Sequence, residues 1–300
     1  MRWRRSADGK WLWKGDTSSD EITGHFFGYL VFYDLAADEN DRVQVRAHVR
    51  KVMDGLIAGG YRLIDIDGKP TRWGNWSPDD LNRNPDWSGD RGLNCLEMLS
   101  FLKASNHITG DDQYRRHYLE LLEKQGYGDL ARRPRSLRPG ERTHIDDELL
   151  ALAIPAVALY ETDPKLKTIY RDALAFWLPQ IRNDHSPYFS FVYGAMSGAQ
   201  SGEEFGLAAA VEFLRDTPLD LVEWAVDNSR REDLRLVRQP IVEVRQTDRM
   251  LPPSERGVMR WDNNPWAAVQ GAGGEVESSG VFWLLPYWMG RYYGFIQSPK

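Results

Sequence analysis

Acidic side chains crowd the start of a helix that the sequence predicts near the N-terminus. The run at residues 15–21 reads Gly-Asp-Thr-Ser-Ser-Asp-Glu, and His25 follows on the same helix face as Glu21. A capping box accounts for Glu21, but one helix start does not need three carboxylates. We therefore predict Asp16 and Asp20 as catalytic acids, with His25 as a further catalytic candidate. The alternative is that all of these residues only cap the helix.

A second group follows an Asp-Gly turn in the loop after the second predicted helix. The turn at Asp67-Gly68 predicts a β-hairpin. The returning strand combines cations, indoles and an amide, a set suited to a sugar because aromatic faces stack on sugar rings while Arg and Asn bind hydroxyls or a carboxylate. A stable hairpin with a stacked Arg–Trp pair is the alternative. The candidate substrate-binding residues here are Lys69, Arg72, Trp73, Asn75 and Trp76.

Two later segments contain similar groups of acidic, aromatic and amide residues. Residues 143–148 place His144 and Asp147 at the start of an apolar helix, and Asp147 is the expected partner of Asp16 and Asp20 across a cleft. Helix capping is again the alternative. Residues 260–266, Arg-Trp-Asp-Asn-Asn-Pro-Trp, echo the Arg-Trp-Gly-Asn-Trp run at 72–76. From these two segments we predict four substrate-binding residues: His144, Trp261, Asn264 and Trp266.

Composition narrows the class of protein. The 300 residues carry a formal net charge of −6, which argues against a nucleic-acid or anionic-membrane partner. The single cysteine, Cys95, excludes an internal disulfide, and its helical context predicts a small buried residue. No metal site and no cofactor are expected, because phosphate-binding, dinucleotide and His-Glu-x-x-His motifs are missing. The absence of a signal-peptide core predicts a cytoplasmic protein, unless Met1 is an internal start.

The elements that must position these groups are mostly helices. Helical periods and caps predict about nine, at 18–36, 41–58, 91–108, 112–125, 145–161, 165–181, 204–215, 218–228 and 277–295. Their connections alternate between short and long. In an up-and-down array the long connections would all lie at one end, which would then be the active face. The long connections are residues 59–90, 127–144, 183–203 and 229–276.

This combination resembles the six-hairpin glycosidase group of (α/α) toroids. The runs at 15–21, at 72–76 and at 284–291 (Leu-Leu-Pro-Tyr-Trp-Met-Gly-Arg) are similar to segments of bacterial proteins placed in that group. The resemblance implies an all-α, single-domain (α/α) toroid over residues 1–300, with long loops and a short hairpin on one face. Such a ring has twelve helices, so about nine would mean an incomplete ring or the C-terminal part of a longer enzyme.

Three functions follow from these observations. A glycoside hydrolase, acting on a poly- or oligosaccharide through paired carboxylates, is the first. A polysaccharide lyase would act on a uronate-containing glycan through a His or Tyr base, with Lys69 and Arg72 neutralising the uronate. Its candidate bases are His25, His144, Tyr188 and Tyr193. A non-catalytic glycan-binding protein is the third.

Overall fold

α-Helices dominate the structure, a computed structural model that describes residues 2–135, 143–238 and 245–297. The structure is mostly helical over the residues that it describes (56%), as the sequence predicts. The eleven α-helices within the described residues are α1 (Ser19–Leu35), α2 (Glu39–Ala58), α3 (Pro78–Arg83), α4 (Arg91–Thr109), α5 (Asp112–Leu119), α6 (Tyr127–Ala131), α7 (His144–Tyr160), α8 (Pro164–Ile181), α9 (Pro187–Met196), α10 (Leu207–Asp216) and α11 (Val281–Tyr292).

Most of the long predicted helices are present, and the capping box at Ser18–Glu21 forms at the start of α1. The helix predicted at 218–228 is wrong. Leu221 has a φ of 53°, and a side chain in that left-handed region cannot continue a right-handed helix. Conversely, α9 lies within the predicted loop at 183–203. Its first seven residues are all buried, so its sequence shows no amphipathic period to reveal it.

Short antiparallel pairs supply all of the β-structure in the described residues. The strands are β1 (Arg2–Arg5), β2 (Leu12–Gly15), β3 (Arg62–Ile64), β4 (Pro70–Asn75), β5 (Val226–Asp227), β6 (Leu236–Arg238), β7 (Arg245–Thr247) and β8 (Val269–Gln270). They pair as β1–β2, β3–β4, β5–β8 and β6–β7. The β3–β4 pair is the hairpin predicted from the Asp67-Gly68 turn.

The chain divides into two compact units, each with its own core. Unit 1 comprises residues 1–136 and 152–173, and unit 2 comprises residues 137–151 and 174–300. The single toroid domain and the gathering of the long loops at one end stay predictions. Residues 136–142 of the loop at 127–144 and residues 239–244 of the loop at 229–276 lie outside the described part of the chain.

Helix α4 forms the centre of unit 1. It packs against α1, α2, α5 and α6, and its buried residues run almost all round the helix. Cys95 on α4 is fully buried, as predicted, and burial raises the pKa of its thiol. A helix that is surrounded in this way holds its neighbours in place, including α1, which carries the predicted Asp20.

Helix α9 has the equivalent place in unit 2. It contacts α10 and α11, and its aromatic side chains are buried from Tyr188 to Tyr193. The start of α9 faces a cleft that is described below. None of the helices in the described ranges combines the length and apolar character needed to span a bilayer.

Candidate active site

Asp16 joins the turn before α1 to the β3–β4 hairpin. Its Oδ1 accepts the backbone N–H of Arg72 at 2.9 Å, and its own N–H donates to Asp65 Oδ2 at 3.2 Å. Its φ of 55° lies in the left-handed region, which costs free energy in a non-glycine residue unless neighbouring contacts maintain it. These contacts give the Asp16 carboxylate a structural role.

Asp20 and Glu21 both serve the start of α1. Asp20 is exposed, and its Oδ2 accepts the Ser18 hydroxyl at 2.8 Å. Glu21 accepts the Ser18 N–H at 2.7 Å and pairs with Lys14 at 2.5 Å. Burial alone would raise the pKa of Glu21, but the hydrogen bonds from Lys14 and Ser18 outweigh it and lower the pKa to about 2. His25, further along α1, is exposed and stacks on Tyr29.

Glu21→Gln is expected to lower the melting temperature modestly at pH 7 and to have little effect near pH 2. A folded pKa below the unfolded value stabilises the protein above the unfolded pKa, and this contribution is lost as the pH falls through the folded pKa. The Lys14 pair is partly exposed, so cap and ion pair together contribute no more than about 1 kcal/mol. Thermal melts of both proteins between pH 7 and pH 2 measure the difference. A constant difference over that range would contradict the assignment.

The predicted sugar-binding residues of the hairpin have two different environments. Lys69, Arg72 and Trp73 are exposed, and the Trp73 ring meets Trp87 edge to face. Asn75 is buried, and its amide group donates to Asp80 Oδ2 at 2.8 Å. The exposed residues of the hairpin therefore remain candidates for binding.

Trp76 requires a correction. Its side chain is 0% exposed, and its indole N–H donates at 2.7 Å to Glu97, which is also fully buried. An indole that is enclosed on all sides cannot stack on a sugar. Trp76 is a core residue of unit 1, and the sequence prediction that it binds substrate is wrong.

In unit 2, Asp147 is also a buried residue. Its side chain is 0% exposed, and Oδ1 accepts the indole N–H of Trp177 at 2.9 Å. The carboxylate therefore supports the packing of α7 against the end of α8. This contact gives Asp147 a structural role, and its predicted catalytic role stays a prediction.

A cleft at the start of α9 brings together polar residues from distant parts of unit 2. Its enclosed space is small, about 10 Å³, and it opens to solvent. Aromatic and aliphatic side chains form part of its wall, including Phe189, Phe213 and Phe282. The polar residues that line it are His144, Asp184, Ser186, Arg256, Arg260, Trp261 and Asn263. The sequence predicts that His144 and Trp261 bind substrate, and both line the cleft, although both are buried.

Asp184 and His144 form a buried pair in this cleft. His144 Nε2 lies 3.5 Å from Asp184 Oδ2, and Asp184 Oδ1 accepts the indole N–H of Trp266 at 2.9 Å. His185, the next residue, has a φ of 53°. Asp184 and Ser186, on either side of this strained residue, both line the cleft, and strained backbone is often found at binding sites. Trp266 therefore supports the cleft through Asp184.

Asn264 holds the turn that precedes Trp266. Its Oδ1 accepts the backbone N–H of Trp266 at 3.0 Å. The side chain thus stabilises the loop, and its role as a sugar ligand stays a prediction.

Arg256 is a buried cation with unused donors. Its residue is 6% exposed, and neither Nε nor Nη2 has a hydrogen-bond partner among the described residues. Burial lowers its pKa to about 10, although the negative charges of Asp184 and Asp216 oppose the shift. Its guanidinium lies over the Phe213 ring. A guanidinium remains charged at this pKa, so the cleft contains a positive charge near pH 7.

A carboxylate cluster lies beside the cleft. Arg260 Nε donates to Glu223 Oε1 at 3.1 Å, and its Nη1 donates to Asp262 Oδ2 at 2.9 Å. Glu223 also accepts the Ser278 hydroxyl. Burial raises the pKa of Asp262, while the positive charge of Arg260 opposes the shift. The net result is a pKa above the ordinary value of an aspartate.

Unpaired buried polar atoms concentrate around this cleft. The described part of unit 2 contains seven buried side-chain N or O atoms without a hydrogen-bond partner. They are His144 Nε2, Ser186 Oγ, Tyr188 Oη, Arg256 Nε and Nη2, Trp261 Nε1 and Asp262 Oδ1. Four of the six residues line the cleft. Tyr188 packs on Trp261 with ring centroids 4.7 Å apart, and Asp262 follows Trp261 in the chain.

Sequence reasoning missed Asp184 and Arg256 and did not select Asp262. Asp184 could have been found from the sequence, because Ser186-Pro187 is a typical start of a helix. That start places Asp184 near a helix N-terminus. Asp262 lies within the run at 260–266 that was singled out. Arg256 carries no local signal.

Among the described residues, no group of three or more His, Cys, Asp or Glu side chains is arranged to hold a metal ion. Comparison of the chain with protein-family models, with curated proteins and with solved structures finds no match.

Proposed function

We propose that this protein is a carbohydrate-active enzyme, a glycoside hydrolase, and that the cleft of unit 2 is its active site. The observation that carries the proposal is the concentration of unpaired buried polar atoms. Each such atom costs about 1–3 kcal/mol unless it gains a partner. A ligand with many hydroxyl groups supplies both donors and acceptors, and the partly exposed Phe282 offers apolar surface to its C–H faces.

Hydrolysis of a glycosidic bond needs an acid and a base. We propose as the acid Asp262, which lies beside the cleft next to the lining residue Trp261 and whose pKa burial raises. It donates a proton to the glycosidic oxygen as the bond from that oxygen to the anomeric carbon breaks. Asp184 takes a proton from the water whose oxygen forms the new bond to that carbon. His144, beside Asp184, helps to hold this carboxylate in place. We place these two carboxylates ahead of Asp16, Asp20 and Asp147, because Asp184 lines the cleft and Asp262 lies beside it.

Elimination by a polysaccharide lyase is the second candidate, and one observation favours it. A histidine beside a carboxylate is suited to act as a base. His144 would remove the proton next to the uronate carboxylate, Arg256 would neutralise that carboxylate, and the bond to the leaving sugar oxygen would break to form a carbon–carbon double bond.

The (α/α) toroid and the likeness to six-hairpin glycosidases are part of the same proposal. Three αα-hairpins with short connections support it: α1 to α2 at 36–38, α4 to α5 at 110–111, and α7 to α8 at 161–163. Connections this short are typical of antiparallel neighbouring helices.

Digestion of a panel of neutral and acidic polysaccharides, with mass analysis of the products, tests the proposed function. A hydrolase produces fragments whose mass includes an added water. A lyase produces fragments of unchanged total mass with the ultraviolet absorbance of an unsaturated uronate. If no glycan in the panel is cleaved but one is bound, the protein is a glycan-binding protein and the enzymatic proposal fails.

A further inference from the structure

The first turn of α9 borders the cleft through Pro187 and Phe189 and leaves backbone donors without a helical acceptor. The first hydrogen bond within the helix runs from the Ser190 N–H to the Ser186 carbonyl at 3.0 Å. The N–H groups of Tyr188 and Phe189 therefore have no acceptor within the helix, and Pro187 has no N–H. These amides and the helix dipole together attract negative charge.

The helix start has a side chain in the capping position that does not cap. Ser186 precedes α9, but its side chain makes no capping hydrogen bond. Its buried Oγ has no hydrogen-bond partner within the described residues. Because Ser186 lines the cleft, its hydroxyl is available to a bound group at the same place as the backbone amides.

Arg256 provides an independent observation at this place. It lines the same cleft, it is more than nine-tenths buried, and its Nε and Nη2 have no hydrogen-bond partner among the described residues. A buried charge without a partner is strongly unfavourable. The two nitrogens without a partner, Nε and Nη2, form one edge of the guanidinium, with their N–H bonds nearly parallel. That edge matches the two oxygens of a carboxylate.

We infer that Arg256 and the N-terminus of α9 form a carboxylate-binding subsite, and that the substrate is an acidic glycan with uronate units. The inference rests on the proposed function and names its substrate class. Asp184 is the one carboxylate among the described residues that lines the cleft, and it lies beside His144 and accepts from Trp266. The Arg256 edge and the Ser186 hydroxyl remain for the ligand.

Binding of matched sugar pairs tests the inference. The probes are the methyl glycosides of glucuronate and galacturonate, together with their methyl esters, which keep every hydroxyl but lose the charge. Titration followed by NMR or calorimetry is expected to show at least one of the acids bound tenfold or more tightly than its ester. Arg256→Gln is expected to remove that preference. Arg215→Gln, which removes an exposed charge from the same unit, is expected to retain it.

Ser186→Ala serves as the second variant if Arg256→Gln does not fold, since no capping bond is lost. It is expected to reduce the preference for the acid.

Equal binding of acid and ester by the unaltered protein, no binding of either acid, or an unchanged preference in Arg256→Gln would overturn the inference. Inorganic sulfate that binds as tightly as the acid sugar would also overturn it, because the site would then hold any oxyanion. Cleavage of neutral glycans with equal binding of acid and ester would contradict this inference alone. Preferential binding of the acids without cleavage of any glycan would contradict only the enzymatic proposal.

Discussion

Asp262→Asn is expected to lower glycan turnover by about 10²-fold or more, the usual effect of losing a general acid. Asparagine has nearly the same shape as aspartate but has no acidic proton to give to the leaving oxygen. In the unaltered protein, activity is expected to fall as the pH rises through the pKa of Asp262, which burial raises. The variant is expected to lose this dependence along with its rate. Rates measured across the pH range provide the test.

The same variant is expected to be as stable as the unaltered protein or more stable at neutral pH. When the folded pKa of an acid lies above its unfolded value, folding is favoured at low pH, and this contribution is lost as the pH rises through the folded pKa. The charged form of Asp262 therefore costs stability near pH 7, and the neutral amide removes that cost. Residues that are needed for function often reduce the stability of the folded protein in this way.

The exposed Asp220 gives a matched control. Asp220→Asn removes the same charge from unit 2 and is expected to leave the rate and its pH dependence unchanged. If Asp262→Asn keeps most of the activity, Asp262 is not the general acid. A loss of activity that accompanies a large loss of thermal stability would instead indicate that Asp262 maintains the fold.

Trp76→Ala is expected to lower the free energy of unfolding by about 3–5 kcal/mol, as truncation of a buried aromatic residue does. The substitution leaves a cavity beside Phe101 and removes the indole donor from the buried Glu97. Thr23 also donates to Glu97, at 3.1 Å, but a buried carboxylate that loses a donor is costly. Unfolding by urea, followed by circular dichroism, measures the change.

Trp73→Ala is the control because Trp73 belongs to the same strand and is 53% exposed. Its effect on stability is expected to stay within about 1 kcal/mol, since an exposed side chain has little packing to lose. Equal destabilisation by the two substitutions would contradict the assignment of Trp76 to the core and of Trp73 to the surface. If Trp73→Ala weakens glycan binding without destabilising the protein, the hairpin contributes to the substrate site as the sequence predicts.

Local signals determined much of the secondary structure. The capping box at Ser18–Glu21 begins α1, the Asp67-Gly68 turn forms the β3–β4 hairpin, and Cys95 is buried in its helix. Each of these features depends on residues within a few positions of one another. Interactions at such short range depend on residue type and spacing, both of which can be read directly from the chain.

The burial of individual side chains depended on the tertiary structure. Trp73 and Trp76 occur in the same short motif, yet one is exposed and the other is enclosed. Trp76 is enclosed because Glu97 of α4 and Phe101 lie against it. Gly74 between them brings the strand close to Leu63, where a Cβ would lie only 2.7 Å from that side chain. Neither contact can be read from the motif alone.

The proposed active site was decided by tertiary structure to an even greater degree. Residues 260–266 were singled out from the sequence, and the predicted His144 and Trp261 do line the cleft. Arg256 and the start of α9 are about seventy residues apart in the sequence, and no spacing rule connects them. Their meeting, and the absence of a partner for the Arg256 edge among the described residues, follow from packing. Packing determines which polar groups lose water without gaining a protein partner, and no single stretch of the chain contains that information.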